Sequence, residues 1–207
     1  VGTAAAIVAI GLGTAIGAIS GLYGGWTDTL LMRLTDLFLA LPQLPLLLLV
    51  MYLFQDAIKA IVGAQMGIFT LVVLVIGSLN WMSVARLVRA EFLVLREMNF
   101  VLAARSLGAS PMRILRVHLL PNVLGTIIVS ATLSVGTAIL TESTLSFLGL
   151  GFPPDSPTWG RMLYDARNYI ETAPHMAVFP GLAIFLTVLS INFVGDGLRD
   201  ALDPRNG

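Results

Sequence analysis

The fold is decided by a polar interruption, Arg86–Pro121, which contains the segment Ala103-Ala104-Arg105-Ser106-Leu107-Gly108-Ala109-Ser110. Its arginines stand in a chain that is 57% hydrophobic and only 12% charged. Charged side chains are expensive inside a bilayer, so this stretch is not a lipid-facing span. We expect it to be a loop outside the membrane that meets a partner protein.

The rest of the chain has the composition of a membrane protein. Its mean hydropathy is +0.88, too apolar for an ordinary soluble domain. Runs without Asp, Glu, Lys or Arg occur at Val1–Thr27, Leu37–Gln55, Ala60–Ala85, Leu119–Thr141 and Met176–Gly195. Each is about long enough to cross a hydrocarbon core of roughly 30 Å as a helix, and none alternates like a strand. The runs predict an all-α membrane protein, a single transmembrane domain over 1–207, with five spans at about 1–23, 35–55, 66–86, 120–142 and 176–195.

The distribution of basic residues predicts the orientation, because short cytoplasmic loops are enriched in Lys and Arg. With the loop 86–121 inside, nine basic residues are cytoplasmic: Arg33, Arg86, Arg89, Arg96, Arg105, Arg113, Arg116, Arg199 and Arg205. The other three are Lys59, Arg161 and Arg167. The carboxyl terminus is then cytoplasmic and the loop 146–174 extracytoplasmic. Since the chain starts at Val within an apolar run, we also expect that an N-terminal span is missing.

Local signals divide the polar loop into two short helices, Phe100–Leu107 and Pro111–Leu119. Gly108 is a stop signal, and Ser110 before a proline is a strong start signal. Pro121 is expected to end the second helix. Ala104 and Gly108, four residues apart, predict a face without bulky side chains where a partner approaches closely. The alternative is a solvated basic loop that merely obeys the positive-inside rule.

Four polar residues in or beside the spans are candidates for a solute path: Thr137, Thr141, Glu142 and Asn80. An acid at membrane depth is a functional candidate by default, although Glu142 at the outer interface would simply be hydrated. Asn80 is also explained by a hydrogen bond between helices.

The extracytoplasmic loop contains the candidates for contact with a further protein, Trp159, Arg161 and Asp165. For Trp159, anchoring at the membrane interface is the alternative. With no cysteine in the chain and no histidine cluster, we predict no metal site and no catalytic site.

An alternative of another class is a metal-dependent membrane phosphotransferase that uses Asp196, Asp200 and Asp203. The full pattern of such enzymes is missing, and a solvated helix end also explains these charges.

The loop resembles the EAA loop of ABC-importer permeases. The motif, Glu-Ala-Ala, three residues, Gly, nine residues and Ile-x-Leu-Pro, falls on Ala103, Ala104, Gly108, Leu120 and Pro121. Two positions depart from it, because Leu102 stands at the Glu position and His118 at the Ile position. Further blocks, in chain order, resemble the dipeptide, oligopeptide and nickel branch of these permeases: 24–28, 33–36, 85–89, 145–151, 158–160 and 195–204.

This resemblance implies a type I ABC-importer permease core in a bacterial or archaeal inner membrane. It implies a transport subunit, not an enzyme, that imports dipeptides or oligopeptides, or alternatively nickel or a metal complex. The implied partners are a second homologous permease, two cytoplasmic ATPases and an extracytoplasmic solute-binding protein, within the lipid bilayer and without nucleic acid. ATP and Mg would be bound by the ATPases, with no cofactor in this chain. The residues implied in ATPase coupling are Leu102, Ala103, Ala104, Arg105, Gly108, Ala109, Leu120 and Pro121.

Overall fold

The computed structural model describes residues 1–202, and all regular structure in that range is helical. The helices are α1 (Gly2–Tyr23), α2 (Gly25–Ala40), α3 (Gln43–Val62), α4 (Ala64–Leu95), α5 (Asn99–Ser106), α6 (Pro111–Arg113), α7 (Leu120–Phe147), α8 (Trp159–Ala166) and α9 (His175–Leu202). A π-helical segment, Ile114–Leu119, joins α6 to α7, and a 3-10 turn, Arg167–Tyr169, follows α8.

Five helical segments are long and apolar enough to cross a membrane. They are α1, α3, α4, the continuous helix Pro111–Phe147, and α9. The expected all-α architecture with five candidate spans is therefore confirmed.

The second span does not begin where the sequence predicted. The predicted range 35–55 crosses a break, since α2 ends at Ala40 and α3 begins at Gln43. Leu41 is extended, with φ −76° and ψ 137°, because a residue before proline is disfavoured in the helical region. The run without charged residues gave no sign of this break. The helix that is apolar enough to span the membrane is α3, which continues to Val62.

The prediction that Pro121 ends a helix is wrong. The helix that starts at Pro111 continues through Pro121 to Phe147. Immediately before the proline the backbone widens into π-helical turns, in which the Leu120 amide donates to the Leu115 carbonyl. The Asn122 side-chain amide donates to the His118 carbonyl over 2.6 Å. In an α-helix the proline ring clashes with the carbonyl four residues earlier, and wider π turns are one way in which a helix passes through such a position.

Helix α1 packs most closely on α4, through three glycines of α1. A Cβ atom on Gly13 would lie 2.6 Å from Cβ of Val84, and one on Gly17 would lie 2.5 Å from the Ala85 carbonyl oxygen. A Cβ atom on Gly21 would lie 2.5 Å from Cβ of Phe92. Small residues at such positions let two membrane helices approach with their backbones nearly in contact.

The remaining helices are arranged around this pair. α1 also packs on α7, while α3 packs on α4 and α9 on α7 and α8. α3 and α9 expose most of their apolar surface. The short helices α5 and α8 lie at opposite ends of the bundle, which we call the α5 end and the α8 end.

Candidate functional site

Helix α5 is fixed to the bundle by one buried side chain. Val101 has no exposed surface and belongs to a hydrophobic cluster with Val88 and Phe92 of α4 and Ile114 and Leu119 of the π segment. This cluster connects α5 to the two long helices α4 and α7.

Gly108 ends α5 in the way the sequence predicted. Its φ is +81°, a conformation that favours glycine. The Gly108 amide donates to the Arg105 carbonyl over 3.0 Å, and the Ala109 amide donates to the Ala104 carbonyl over 3.1 Å. These two bonds form a Schellman motif, which satisfies the last carbonyls of the helix.

The expected small-residue face is not a helix face. α5 ends at Ser106, so Gly108 lies beyond the helix that contains Ala104. A Cβ atom on Gly108 would meet nothing within 4 Å. Within this chain, the structure explains the glycine by backbone conformation.

The start of the second helix is also confirmed. The Ser110 hydroxyl accepts a hydrogen bond from the Arg113 amide over 3.4 Å, and Pro111 occupies the first helical position. This cap fixes the direction in which the chain leaves Gly108. The loop between α4 and α7 is consequently a folded element.

The outer side of this element exposes apolar side chains. Leu107 is 89% exposed, and Met112 and Val117 are 51% and 56% exposed. Sequence reasoning did not single out these three residues, although Leu107 precedes the stop glycine. We call this the α5 surface, and it also includes exposed Leu102 and Arg105. Of the other predicted coupling residues, Ala103, Gly108 and Pro121 are exposed, and Ala104, Ala109 and Leu120 are half-buried.

Ion pairs between α2 and α4 brace the same end. Arg89 donates through Nε and Nη2 to the two carboxylate oxygens of Asp28, the second bond measuring 2.6 Å, and the Ser20 hydroxyl donates to the same carboxylate. The hydrogen bond from Arg89 holds the pKa of the Asp28 carboxyl below its usual value. A second pair joins Asp36 to Arg86. Sequence reasoning missed both pairs, because nothing local to either helix indicates its partner.

The four predicted solute-path residues do not form one site. Thr137 and Thr141 donate to carbonyls of their own helix, those of Leu133 and Thr137, over 3.3 and 2.8 Å. Asn80 donates to the Ile76 carbonyl over 2.7 Å.

Asn80 and Glu142 line different cavities. Asn80 also accepts from Gln43 over 3.3 Å and borders a cleft of about 80 Å³ at the α2–α3 break. Glu142 is buried near the α8 end, beside a cavity of about 240 Å³ that Trp159 also lines. The two residues are therefore candidates for separate roles.

The residues expected to contact a further protein gather on α8. Trp159 begins this helix and is 37% exposed, and the Thr158 hydroxyl caps it by accepting from the Arg161 amide over 3.2 Å. Arg161 pairs with Asp165 at 2.9 Å and lies over the Tyr164 ring, 4.6 Å from its centroid.

Within residues 1–202, no three His, Cys, Asp or Glu side chains come close enough together to hold a metal ion. Asp196 and Asp200 lie on the last turns of α9. Asp203, the third aspartate of the phosphotransferase alternative, lies outside the described residues. Arg205, one of the nine basic residues predicted to be cytoplasmic, also lies outside them.

Five apolar helices, with a folded polar element between two of them, define a multi-pass membrane protein of the type I importer permease class. The fold matches a subunit chain in an inward-facing structure of the MetNI methionine ABC transporter, with a TM-score of 0.69 and 22% sequence identity, over 98% of this chain and 93% of that one. The family described as "Binding-protein-dependent transport system inner membrane component" matches residues 13–207, and the chain belongs to that family.

Curated relatives refine this placement. The chain is 43% identical to the glutathione transport system permease protein GsiD of Pectobacterium atrosepticum, over 96% of this chain and 62% of that protein. It is 45% identical to the protein of the same name in Escherichia coli O6:K15:H31, over 98% of this chain and 64% of that protein. The chain thus spans somewhat less than two thirds of the length of these relatives. All are named as transport permeases, in agreement with the prediction of a transport subunit rather than an enzyme.

Proposed function

We propose that this chain is the permease subunit of an ATP-driven, binding-protein-dependent importer of short peptides. Glutathione is the first solute to test, because it is the solute in the names of the relatives. The α5 end faces the cytoplasm, with the carboxyl terminus, and the α8 end faces the binding protein. The other partners are a second homologous permease and two ATPase subunits that hold ATP and Mg.

The observation that carries this proposal is the α5 surface. It combines exposed leucine, methionine and valine side chains with a rigid backbone fixed by the Gly108 turn and the Ser110 cap. Exposed apolar side chains of this kind, on a polar loop outside the spans, are typical of a protein-protein contact. Because Leu102 replaces the glutamate of the family motif, docking at this position depends on apolar contact and shape.

The energy source must lie in the partners. A phosphate-binding loop needs a lysine after a glycine-rich turn, and the only lysine of the chain is Lys59, which has no such context. Closure of the ATPase dimer would push on the α5 surface. Val101 would pass that displacement to α4 and α7, and the close α1–α4 packing would carry it to α1.

The test compares two glycines that both have a positive φ but lie at opposite ends of the bundle. Gly108→Trp places a bulky ring on the α5 surface, at a position where a Cβ atom would have no neighbour within 4 Å. Gly63, between α3 and α4, also has a positive φ of +90° and open space around it, so Gly63→Trp is the matched control. Both variants are co-expressed with the partner subunits and assayed for glutathione uptake and ATP hydrolysis.

We expect Gly108→Trp to insert in the membrane normally but to lose ATPase binding, or to hydrolyse ATP without uptake. Gly63→Trp should retain far more uptake per ATP hydrolysed. Normal coupled uptake in Gly108→Trp would contradict the proposal. Uptake of another solute, with no response to any peptide, would refute the substrate class alone.

A further inference from the structure

Helix α2 differs from the spans in how it is held. It is not among the five segments that are long and apolar enough to cross a membrane, so lipid does not hold it as it holds α3 and α9. Of its sixteen residues only Thr35 is buried, and the Thr35 hydroxyl donates to a carbonyl of α2 itself, that of Leu31. Phe38 contacts the Trp81 ring of α4, with 6.1 Å between the ring centroids, but it remains 36% exposed. Apolar packing therefore fixes α2 only weakly to the rest of the chain.

Both ends of α2 are breaks at which the chain can turn. Gly24 and Gly25 have φ of +66° and +54°, a region that favours glycine. At the other end Leu41 is extended before Pro42, and the next helix starts at Gln43. Hinges are typically a few residues at the ends of elements, where changes in φ and ψ are absorbed. Helix α2 is thus a short rod between two candidate hinges.

Charged side chains supply the specific attachment of α2 to α4. Arg89 makes two hydrogen bonds to Asp28, and these side chains are 31% and 16% exposed. Arg86 pairs with Asp36, and both of these side chains are more than half exposed. Ion pairs that water reaches are weak, because solvent competes for both charges. These two pairs, which we call the α2 latch, therefore open at lower cost than the close apolar contact between α1 and α4.

The latch lies on the part of α4 that also holds α5. Val88 and Phe92, on either side of Arg89 in the sequence, belong to the buried cluster that contains Val101. Arg86 lies less than one helical turn before Arg89. A shift of this segment of α4 would therefore move both arginines of the latch together. Their aspartate partners lie on a separate helix with its own hinges, so the same shift changes the distance between the partners.

We propose that α2 is a hinged gate helix, which the α2 latch holds against α4 and which is released when the ATPase dimer closes. The proposal rests on the proposed function, in which closure of the ATPases displaces α5 and, through Val101, α4. It adds a moving part within the subunit. Helices α1, α3 and α4 stay packed together, while α2 swings about its two ends and changes the width of the bundle at the α5 end.

The first experiment measures the latch without any solute. Asp36→Cys with Arg86→Cys places two thiols at the exposed ion pair of a chain that has no other cysteine, and it leaves the Asp28 pair intact. The matched control is Leu46→Cys with Ser83→Cys, on α3 and α4, since both residues line the small cleft beyond the Leu41 hinge. The assembled transporter is treated with a short bis-maleimide, either free of nucleotide or trapped with ATP and vanadate. Mass spectrometry of peptides measures the link within the chain.

We expect the latch pair to link at least about tenfold more slowly in the trapped transporter, because the disfavoured state of a two-state element is typically populated at no more than about 10%. The control pair should link at the same rate in both states, since α3 stays packed on α4. An unchanged or higher rate at the latch pair in the trapped state would overturn the proposal. An equal slowing at the control pair would also overturn it, because the movement would then not be that of α2.

The second experiment asks whether release of α2 is needed for transport. Glutathione uptake is measured after linking, since thioether links survive the thiol of the solute. Linking the latch pair should abolish uptake, whereas N-ethylmaleimide, which modifies the same thiols without joining them, should leave most of the uptake of that variant. The linked control pair should also keep most of its uptake. Full uptake with the latch linked would overturn the proposal, as would equal losses with both reagents.

Failure of this proposal is distinguishable from failure of the proposed function. If the wild-type transporter takes up no peptide, the proposed solute class is wrong, but the two linking rates still show whether α2 leaves α4. If peptide uptake is normal and the linking rate at the latch does not depend on trapping, the proposed function stands and α2 is not the gate.

Discussion

Truncation of Val101 tests whether α5 is rigidly connected to the spans. Val101→Ala removes two methyl groups from a side chain that has no exposed surface. The lost transfer free energy is about 1.6 kcal/mol. The cavity left among Val88, Phe92 and Ile114 raises the total to about 2–3 kcal/mol. Because α5 is short and has no other fully buried side chain, most of this loss reduces the free energy with which α5 packs on the bundle.

A loss of about 2 kcal/mol changes the ratio of docked to detached α5 by roughly 30-fold. Limited trypsin digestion of the purified chain without its ATPase partners measures this, since cleavage after Arg105 requires α5 to open locally. We expect cleavage at this site to accelerate by up to about 30-fold in Val101→Ala, and uptake per ATP hydrolysed to fall.

Leu102→Ala is the control, because Leu102 is the exposed neighbour of Val101. It should leave the cleavage rate of the partner-free chain nearly unchanged and weaken ATPase binding instead. If Val101→Ala showed wild-type cleavage and wild-type coupling, the proposed mechanical connection through this cluster would be refuted.

Two further changes test the packing and electrostatics of the bundle. Gly17→Ala should lower the melting temperature, because overpacking α1 on α4 costs about 1–3 kcal/mol of unfolding free energy. Gly11→Ala is the control and should leave the melting temperature unchanged, since Gly11 lies in open space. Equal melting temperatures of the two variants would refute the close approach of α1 to α4. Asp28→Asn should cost about 1.5–3 kcal/mol in unfolding free energy, since it removes a charged partner of Arg89, and Asp36→Asn, in an exposed pair, at most about 1 kcal/mol. The contribution of ionised Asp28 to the unfolding free energy is present above the ordinary carboxyl pKa and is lost as pH falls through the lowered pKa of Asp28. The wild type should therefore lose more stability on acidification than Asp28→Asn. Identical pH profiles of stability would contradict the hydrogen bond between Asp28 and Arg89.

The sequence predicted features that depend on local chemistry. Apolar runs between charges gave five helical spans, Gly108 gave a helix stop and Ser110 gave a helix start. Each of these signals acts within a few residues. For that reason they are visible without knowledge of the packing.

The errors came where one local signal competed with another. The apolar run around Pro42 suggested a continuous span, but proline restricts the preceding Leu41 and breaks the helix. Pro121 suggested a stop, but the helix widens into π turns just before it and continues. Deciding between such outcomes requires the surrounding packing, which the sequence does not display.

Long-range pairs were beyond sequence reasoning altogether. Asp28 and Arg89 are 61 residues apart, with the rest of α2, all of α3 and most of α4 between them, and each alone is an ordinary charged residue. Likewise, Glu142 was a candidate from its depth, but the cavity beside it is formed by residues far apart in the sequence, among them Val1, Ile139 and Trp159.

The central claim is that the α5 surface is the docking site of the ATPase, and the cysteine-free chain allows a direct measurement. Leu107→Cys places a thiol at the most exposed position of this surface, and Tyr169→Cys places one near α8 at the opposite end. In membranes that contain the assembled transporter, a short cross-linker with a maleimide at one end and a photoactivated benzophenone at the other should link position 107 to the ATPase subunit and leave position 169 unlinked to it. Cross-linking of position 169 to the ATPase, with none at position 107, would contradict both the docking site and the orientation.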